Sequence, residues 1–414
     1  MSGDGDAARQ AAYAAALSGL PGMGPATLVA VLRRWEPRQA WDHVRTGKLD
    51  RPRRGQELEG GSGQSRQDSL DDSLDPGSDR RSRRTWAEIS RGFDPERWWA
   101  PIAGRRIGVT WPGLATYPSA LADDPHPPGV LFWRGSIECL DRPCVAIVGT
   151  RSATPDGRSV AFELGRDLAG AGICVVSGLA LGIDGAAHLG TLRAIDQPGA
   201  AGPVGVAASG VDVPYPRRHA GLWEDVVAAG AVLSETLPGR PAQAWRFPAR
   251  NRVIAGLVRM VVVVESHQTG GSLITAEAAL ERGVEVRVVP GPVHSPASAG
   301  TNQLLYDGPG PVRCARDVLD ALGMFLSDPT PHQAGAHSGA ETRASMVTVL
   351  SGDAEAVLAA VGWRPSSLNQ IVDRSATSVG TALRSLDELE EAGCIATERG
   401  RWVRRRQESD ARRG

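Results

Sequence analysis

The chain has 414 residues, with 46 Lys+Arg against 47 Asp+Glu and a net charge of −1. Lys48 is the sole lysine, so 45 of the 46 basic residues are arginine. Lys48 stands in Arg45-Thr46-Gly47-Lys48-Leu49, without the first glycine or the hydroxyl of a Walker A loop, which excludes a P-loop NTPase; its polar surroundings offer no pocket for a Schiff base.

Near-neutral charge carries no global signal for nucleic acid. There is no run of 18 apolar residues, so no membrane span is expected. Met1-Ser2-Gly3-Asp4-Gly5-Asp6 is acidic where an export signal is basic. The cysteines (Cys139, Cys144, Cys174, Cys314 and Cys394) are odd in number and form no C-x-x-C, which fits a reduced cytoplasmic protein with no metal site and no cofactor.

Residues 1–50 read as a helical hairpin domain. Ala-rich Ala7–Leu17 is followed by Leu20-Pro21-Gly22-Met23-Gly24 and an apolar helix through Trp35. The glycine turn fits either a phosphate-holding hairpin at a helix N-terminus or a plain αα-hairpin. Residues 51–84 have no aromatic residue and few aliphatics, and read as a disordered linker.

Residues 85–326 form the main domain. Strands are expected at Cys144–Val148, Ile173–Val176, Val204–Ala207, Ala231–Leu233, Met260–Glu265 and Val284–Val289. Helices are expected at Gly157–Ala171, Asp184–Ala194, His219–Ala229, Asn251–Leu257 and Leu273–Arg282. Strands apolar on both faces that alternate with helices imply an α/β, doubly wound parallel sheet, with its ligand site at the carboxyl ends of the strands. Residues 327–345 are a second linker. Residues 346–406 read as three helices and a β-hairpin, a winged helix, whose third helix carries Asp387, Glu388, Glu390 and Glu391 and so opposes phosphate. Residues 407–414 are a basic tail.

Six segments carry the chemistry. Gly149-Thr150-Arg151 ends the first strand and leads into a helix, a turn that presents N–H groups to an anion. It is not G-x-G-x-x-G, and the second strand ends in Ser177-Gly178 without a ribose-binding acid, so a dinucleotide is not expected. Asp184 and His188 are i, i+4 on one helical face; they fit an acid–base or metal pair, and local orientation is the stronger reading. Ser209-Gly210-Val211-Asp212 begins a turn-rich lip, with Asp212 also read as orienting. In Phe247-Pro248-Ala249-Arg250-Asn251-Arg252 two arginines flank an asparagine at an expected helix start, where the dipole disfavours cations unless an anion is bound. Phe247 reads as core packing rather than a base-stacking platform. Gly270-Gly271-Ser272 opens a further helix after Glu265-Ser266, and the sixth segment, Val289-Pro290-Gly291 on to Thr301-Asn302, closes the same edge. Several such loops at one edge suit a polyanion or a nucleotide.

In this order V-G-T-R, S-G-L-A-x-G-I-D-x-x-A-H, S-G-V-D-x-x-Y-P, F-P-x-R-N-R-x-I-A-G-L, G-S-L-I-T-A and V-P-G-x-x-x-x-x-x-S-x-G-x-N resemble the DprA/Smf family over about residues 110–322. The resemblance implies an extended Rossmann-like domain that binds single-stranded DNA as a dimer, protects incoming strands in transformation and helps load a RecA-type recombinase. It implies no catalytic residue. Carried onto this chain, the pocket comprises Gly149, Thr150, Arg151, Ser177, Gly178, Arg250, Asn251, Arg252, Gly270, Gly271 and Ser272. The family often places a lysine there; here arginine must serve. The alternative is a nucleotide hydrolase of the lysine-decarboxylase-like phosphoribohydrolase type, with Thr269–Glu277 as its site and Glu277 as its acid. Its P-G-G-x-G-T is missing.

Overall fold

A computed structural model describes residues 3–49, 85–324, 352–361, 366–375, 377–391, 394–398 and 401–404. The expected linkers 51–84 and 327–345 and the tail 407–414 lie outside the described residues. The chain divides into two compact units, Met1–Asp328 and Pro329–Gly414.

In the first unit α1 (Gly3–Ser18) is followed by α2 (Pro25–Arg34) and α3 (Pro37–Arg45). Each of the latter opens on a proline, whose missing N–H costs nothing in a first turn. Beyond residue 84, α4 (Trp86–Ser90) starts in a capping box between Thr85 and Glu88, and Asp94 caps α5 (Pro95–Ala103). These helices do not stand apart from the sheet. Leu17, Leu28, Trp41 and Trp86 share one apolar cluster with Val109, Phe132, Trp223 and Val232. Trp86 Nε1 also donates to the Pro21 carbonyl at 2.9 Å.

The sheet has nine strands: β1 (Gly108–Thr110), β2 (Leu131–Gly135), β3 (Cys144–Val148), β4 (Cys174–Ser177), β5 (Val204–Val206), β6 (Ala231–Ser234), β7 (Met260–Val263), β8 (Glu285–Val288) and β9 (Gly310–Pro311). Their order is β1-β2-β6-β5-β4-β3-β7-β8-β9. From β6 to β9 all pairings are parallel; β2 joins β6, and β1 joins β2, antiparallel. The chain builds outward from β3 to β6, then returns beside β3 with β7. That reversal makes β3/β7 a topological switch point, where a crevice opens beyond the strand ends.

The connecting helices are α6 (Ser119–Ala122), α7 (Pro155–Gly170), α8 (Ile183–Ala194), α9 (Ala220–Ala229), α10 (Arg246–Leu257), α11 (Gly271–Leu280), α12 (Ala299–Asp307) and α13 (Ala315–Ala321). Alternate strand residues face opposite layers. Val145, Ile147, Val175 and Val262 pack with α7, α8 and α13, whereas Ala146, Val148, Val176 and Val263 pack with α10 and α11. All are buried on both sides, as the continuous apolar runs require. α7 and α8 touch backbone to backbone: a Cβ at Gly165 would lie 2.2 Å from the Ala187 carbonyl oxygen, and one at Gly190 2.0 Å from that of Phe162.

One boundary differs in a way that matters. The helix expected from Asn251 begins at Arg246. Pro248 falls in its first turn, where no intrahelical N–H is needed, so the proline starts the helix rather than precedes it. Arg250, Asn251 and Arg252 therefore lie in the second turn, and the argument that they crowd a helix terminus passes to Arg246.

The second unit contains α14 (Gly352–Ala360), α15 (Leu368–Ser375), α16 (Val379–Glu391) and the antiparallel pair β10 (Ile395–Glu398) and β11 (Arg401–Arg404). Val357, Ile371, Leu386, Leu389 and Ile395 form its own core, a winged-helix arrangement. Asp387 and Glu390 of α16 are exposed. Among the described residues no helix is long and apolar enough to cross a membrane.

Candidate nucleic-acid interface

The carboxyl ends of β4 and β5 are tied together by one guanidinium. Arg250 is buried, and its Nη1 donates to the carbonyls of Gly178 at 2.6 Å and Val206 at 2.7 Å. Its Nε donates to Asn251 Oδ1 at 3.1 Å, and Asn251 Nδ2 donates to the Gly271 carbonyl at 3.3 Å. The relay runs from two strand ends through α10 to the start of α11. Charge-assisted bonds of this kind contribute about 1.5–3 kcal/mol each. Burial lowers the Arg250 guanidinium from its ordinary value, the Asp184 charge opposes this, and nearby Arg151 reinforces it.

The turns themselves are filled from within. Asp184, buried at the start of α8, accepts the Gly178 N–H at 3.2 Å, and the N–H groups of Ala180 and Gly149 lie close enough to favour its charged form. Burial raises its carboxyl above the usual range against the pull of Arg250 and those N–H groups. Glu265 plays the same part at α7: its carboxylate accepts the Thr154 N–H at 2.9 Å and the Thr154 hydroxyl at 2.6 Å. Thr150 N–H bonds the Glu265 carbonyl at 2.7 Å, and Ser177 Oγ the Ile147 carbonyl at 2.6 Å. The Gly178 N–H, expected to meet an incoming anion, is donated to an internal carboxylate instead, and the Gly149 N–H lies near the same group. Gly178 has no room for a side chain: a Cβ would lie 2.0 Å from Arg250 Nη1 and 2.7 Å from Asp184 Oδ2. The next residue, Leu179, is left-handed at φ 59°, a conformation that costs about 1–2 kcal/mol. Its fully buried side chain holds it there, together with a 3.0 Å hydrogen bond that its carbonyl accepts from His219 Nδ1.

His188 lies behind this layer, fully buried beside the Ser177 backbone, and neither ring nitrogen has a hydrogen-bond partner among the described residues. Burial pushes its imidazole down to about 3. Asp212 bonds Arg105 Nη1 at 3.0 Å and the Gly239 N–H at 2.7 Å, fastening the lip. Among the described residues no group of three or more His, Cys, Asp or Glu is placed to hold a metal.

Above the clamp is an open pocket whose walls include Arg151, Leu181, Ala208, Tyr215, Phe247 and Arg250. Arg151 is exposed, with its guanidinium carbon 4.9 Å from the Phe247 ring centroid. Tyr215, 45% exposed, has its ring centroid 5.6 Å from that of Phe247, with the planes at 56°. Arg217 and Arg218 follow directly, both exposed. Phe247 is half-buried and lines this pocket, where the sequence suggested plain core packing. Its signal was its spacing: three residues before Arg250, it shares that helical face.

The remaining expected residues disperse. Arg252 points away from Arg250 and pairs with Glu235 at 2.5 Å, so its charge is compensated. Residues two apart on a helix do not share a face. Ser272 Oγ donates to Ser266 Oγ at 2.9 Å, and the Gly270 N–H to the His267 carbonyl at 3.0 Å. Gly271 is exposed and joins the group only through Asn251. Glu277, the acid of the hydrolase alternative, is exposed in the second turn of α11, whereas the buried acids beside the glycine turns are Asp184 and Glu265.

The family model described as DNA recombination-mediator protein A matches residues 109–323, and that described as the DprA winged helix domain matches residues 341–401. The chain is 38% identical over 207 residues to the DNA processing protein DprA of Bacillus subtilis, covering 50% of this chain and 68% of that one. It is 33% identical over 300 residues to Protein Smf of Escherichia coli, covering 72% and 77%. The X-ray structure of DprA from Streptococcus pneumoniae aligns with a TM-score of 0.50 at 33% identity, over 57% of this chain and 84% of that one.

Proposed function

Because this chain belongs to the DNA recombination-mediator protein A family of DNA-processing proteins, we propose that it binds single-stranded DNA at the carboxyl ends of β3, β4 and β5. The observation that carries the reading is the Arg151–Phe247–Tyr215 group. Ring faces and a guanidinium plane at an open pocket suit an unpaired base, which a duplex keeps stacked inside. Phosphate contacts come from Arg151, Arg217 and Arg218, which are exposed, rather than from Arg250, which holds the pocket together. In this reading the protein works in the cytoplasm as a homodimer. It protects incoming strands during transformation or recombination and assists a RecA-type recombinase onto them, with no catalytic step of its own.

The test is binding of a labelled single strand and of the matching duplex by the full chain across a salt series. Preference for the single strand, with affinity falling as salt rises, is expected. Equal affinity for both at matched salt would refute it. Recombinase loading is checked separately, by whether the protein raises strand exchange on DNA coated with a single-strand-binding protein.

A further inference from the structure

A second aromatic–arginine pair stands on the same helix, outside the pocket at Arg151. Trp245 stands at the N-cap position of α10 and is 47% exposed. The Arg246 guanidinium carbon lies 4.9 Å from its ring centroid. Its Nε1 donates to Gln243 Oε1 at 3.1 Å, which satisfies the indole edge and fixes the ring. Arg246 lines a second depression together with Val206, Glu235, Thr236 and Arg250. Arg250 also lines the first, so the two depressions share a wall residue in the second turn of α10.

The charge balance here is positive. Arg246 donates to the Pro241 carbonyl at 2.6 Å, and its neighbours include Arg240. Both cations sit near a helix N-terminus, where the dipole also disfavours them. The acid of this depression, Glu235, is held by Arg252. An anion that offsets this repulsion, carried on a group with a flat apolar face, fits both halves of the site.

We infer that Trp245, Arg246 and Arg240 form a second nucleotide subsite. The indole stacks on one base of the strand whose neighbouring nucleotide occupies the Arg151–Phe247 pocket, and the two guanidinium groups take the phosphate on the way. This rests on the single-strand reading above.

The test measures binding of an oligothymidylate and of an abasic oligonucleotide of equal length to the full chain and to its Trp245→Ala, Trp245→Phe and Arg151→Ala variants. Trp245→Ala should bind the oligothymidylate about tenfold more weakly and the abasic strand unchanged, because only a base offers a face to stack. Trp245→Phe should keep most of the affinity. If Trp245→Ala matches wild type while Arg151→Ala loses affinity, the first pocket stands and the second subsite falls. Equal weakening on both strands overturns stacking in favour of a disturbed helix start, which a lowered melting temperature would register. A wild-type chain that binds neither strand overturns both readings.

Discussion

Arg250 Nη1 donates to the carbonyl of Gly178, 72 residues earlier in the chain, at 2.6 Å. The same nitrogen reaches Val206, so one side chain closes the ends of two strands. Its removal leaves two carbonyls unsatisfied and Asp184 buried without its cation. Arg250→Ala should therefore cost about 3 kcal/mol in urea unfolding. Arg250→Lys should recover little, because an ammonium lacks the fork that serves two carbonyls and Asn251 together. Gly178→Ala should be similarly damaging without any change of charge, since its Cβ would overlap Arg250 Nη1. An unchanged urea midpoint in Arg250→Ala would mean that the clamp contributes nothing.

Arg151 gives the opposite result. Its side chain is exposed and rests on Phe247, so Arg151→Ala should leave the melting temperature nearly unchanged. Its single-strand affinity should fall at low salt. If Arg151 meets one phosphate, the slope of log K against log salt should also shrink by about 0.7. A slope identical to that of wild type would place its contact elsewhere than on phosphate.

The parallel sheet was legible because β3, β4 and β7 are apolar on both faces, a pattern that only a layer covered on both sides requires. The site was legible as a set of loops but not as a set of contacts. Local pattern identifies Asp184 as a cap; it does not reveal that its carboxylate accepts the N–H of Gly178, six residues earlier at the end of β4, and lies near that of Gly149 in another turn. The partnership of Glu265 with Thr154 spans 111 residues and leaves no periodic trace. Arg250 and Arg252 looked equivalent because both flank Asn251, yet helical geometry sends them to opposite sides.

Glu265 occupies, with its own carboxylate, the place at the start of α7 where an external anion would sit. Glu265→Ala should destabilise the fold by about 2 kcal/mol, and Glu265→Gln by about half as much, since the amide oxygen still accepts from Thr154. With the carboxylate gone the turn should take an anion from solution. Sulfate should then raise the melting temperature of Glu265→Ala by more than that of wild type. Equal stabilisation of both would mean that the turn does not act as an anion seat.

His188 sets a pH dependence with a definite sign. Burial lowers its folded-state pKa to about 3, against about 6.5 when unfolded. Between these values the unfolded chain binds the extra proton, so stability rises with pH across that window and is lost as pH falls from about 6.5 towards 3. Asp184 and Glu235 act in the opposite sense: burial raises both, so the folded state holds their protons longer and gains relative to the unfolded chain as pH falls towards their range. Comparison with His188→Leu isolates the histidine, because both carboxyls are common to the two proteins. At pH 7 the leucine variant should be no less stable than wild type, since it replaces two buried ring nitrogens that have no partner among the described residues. Below about pH 6.5 the gap should widen in favour of the variant, by up to about 1.4 kcal/mol per pH unit. Urea midpoints at pH 7, 6 and 5 measure it. Parallel curves for the two proteins would mean that the folded state accommodates a charged His188, contrary to its burial behind β4.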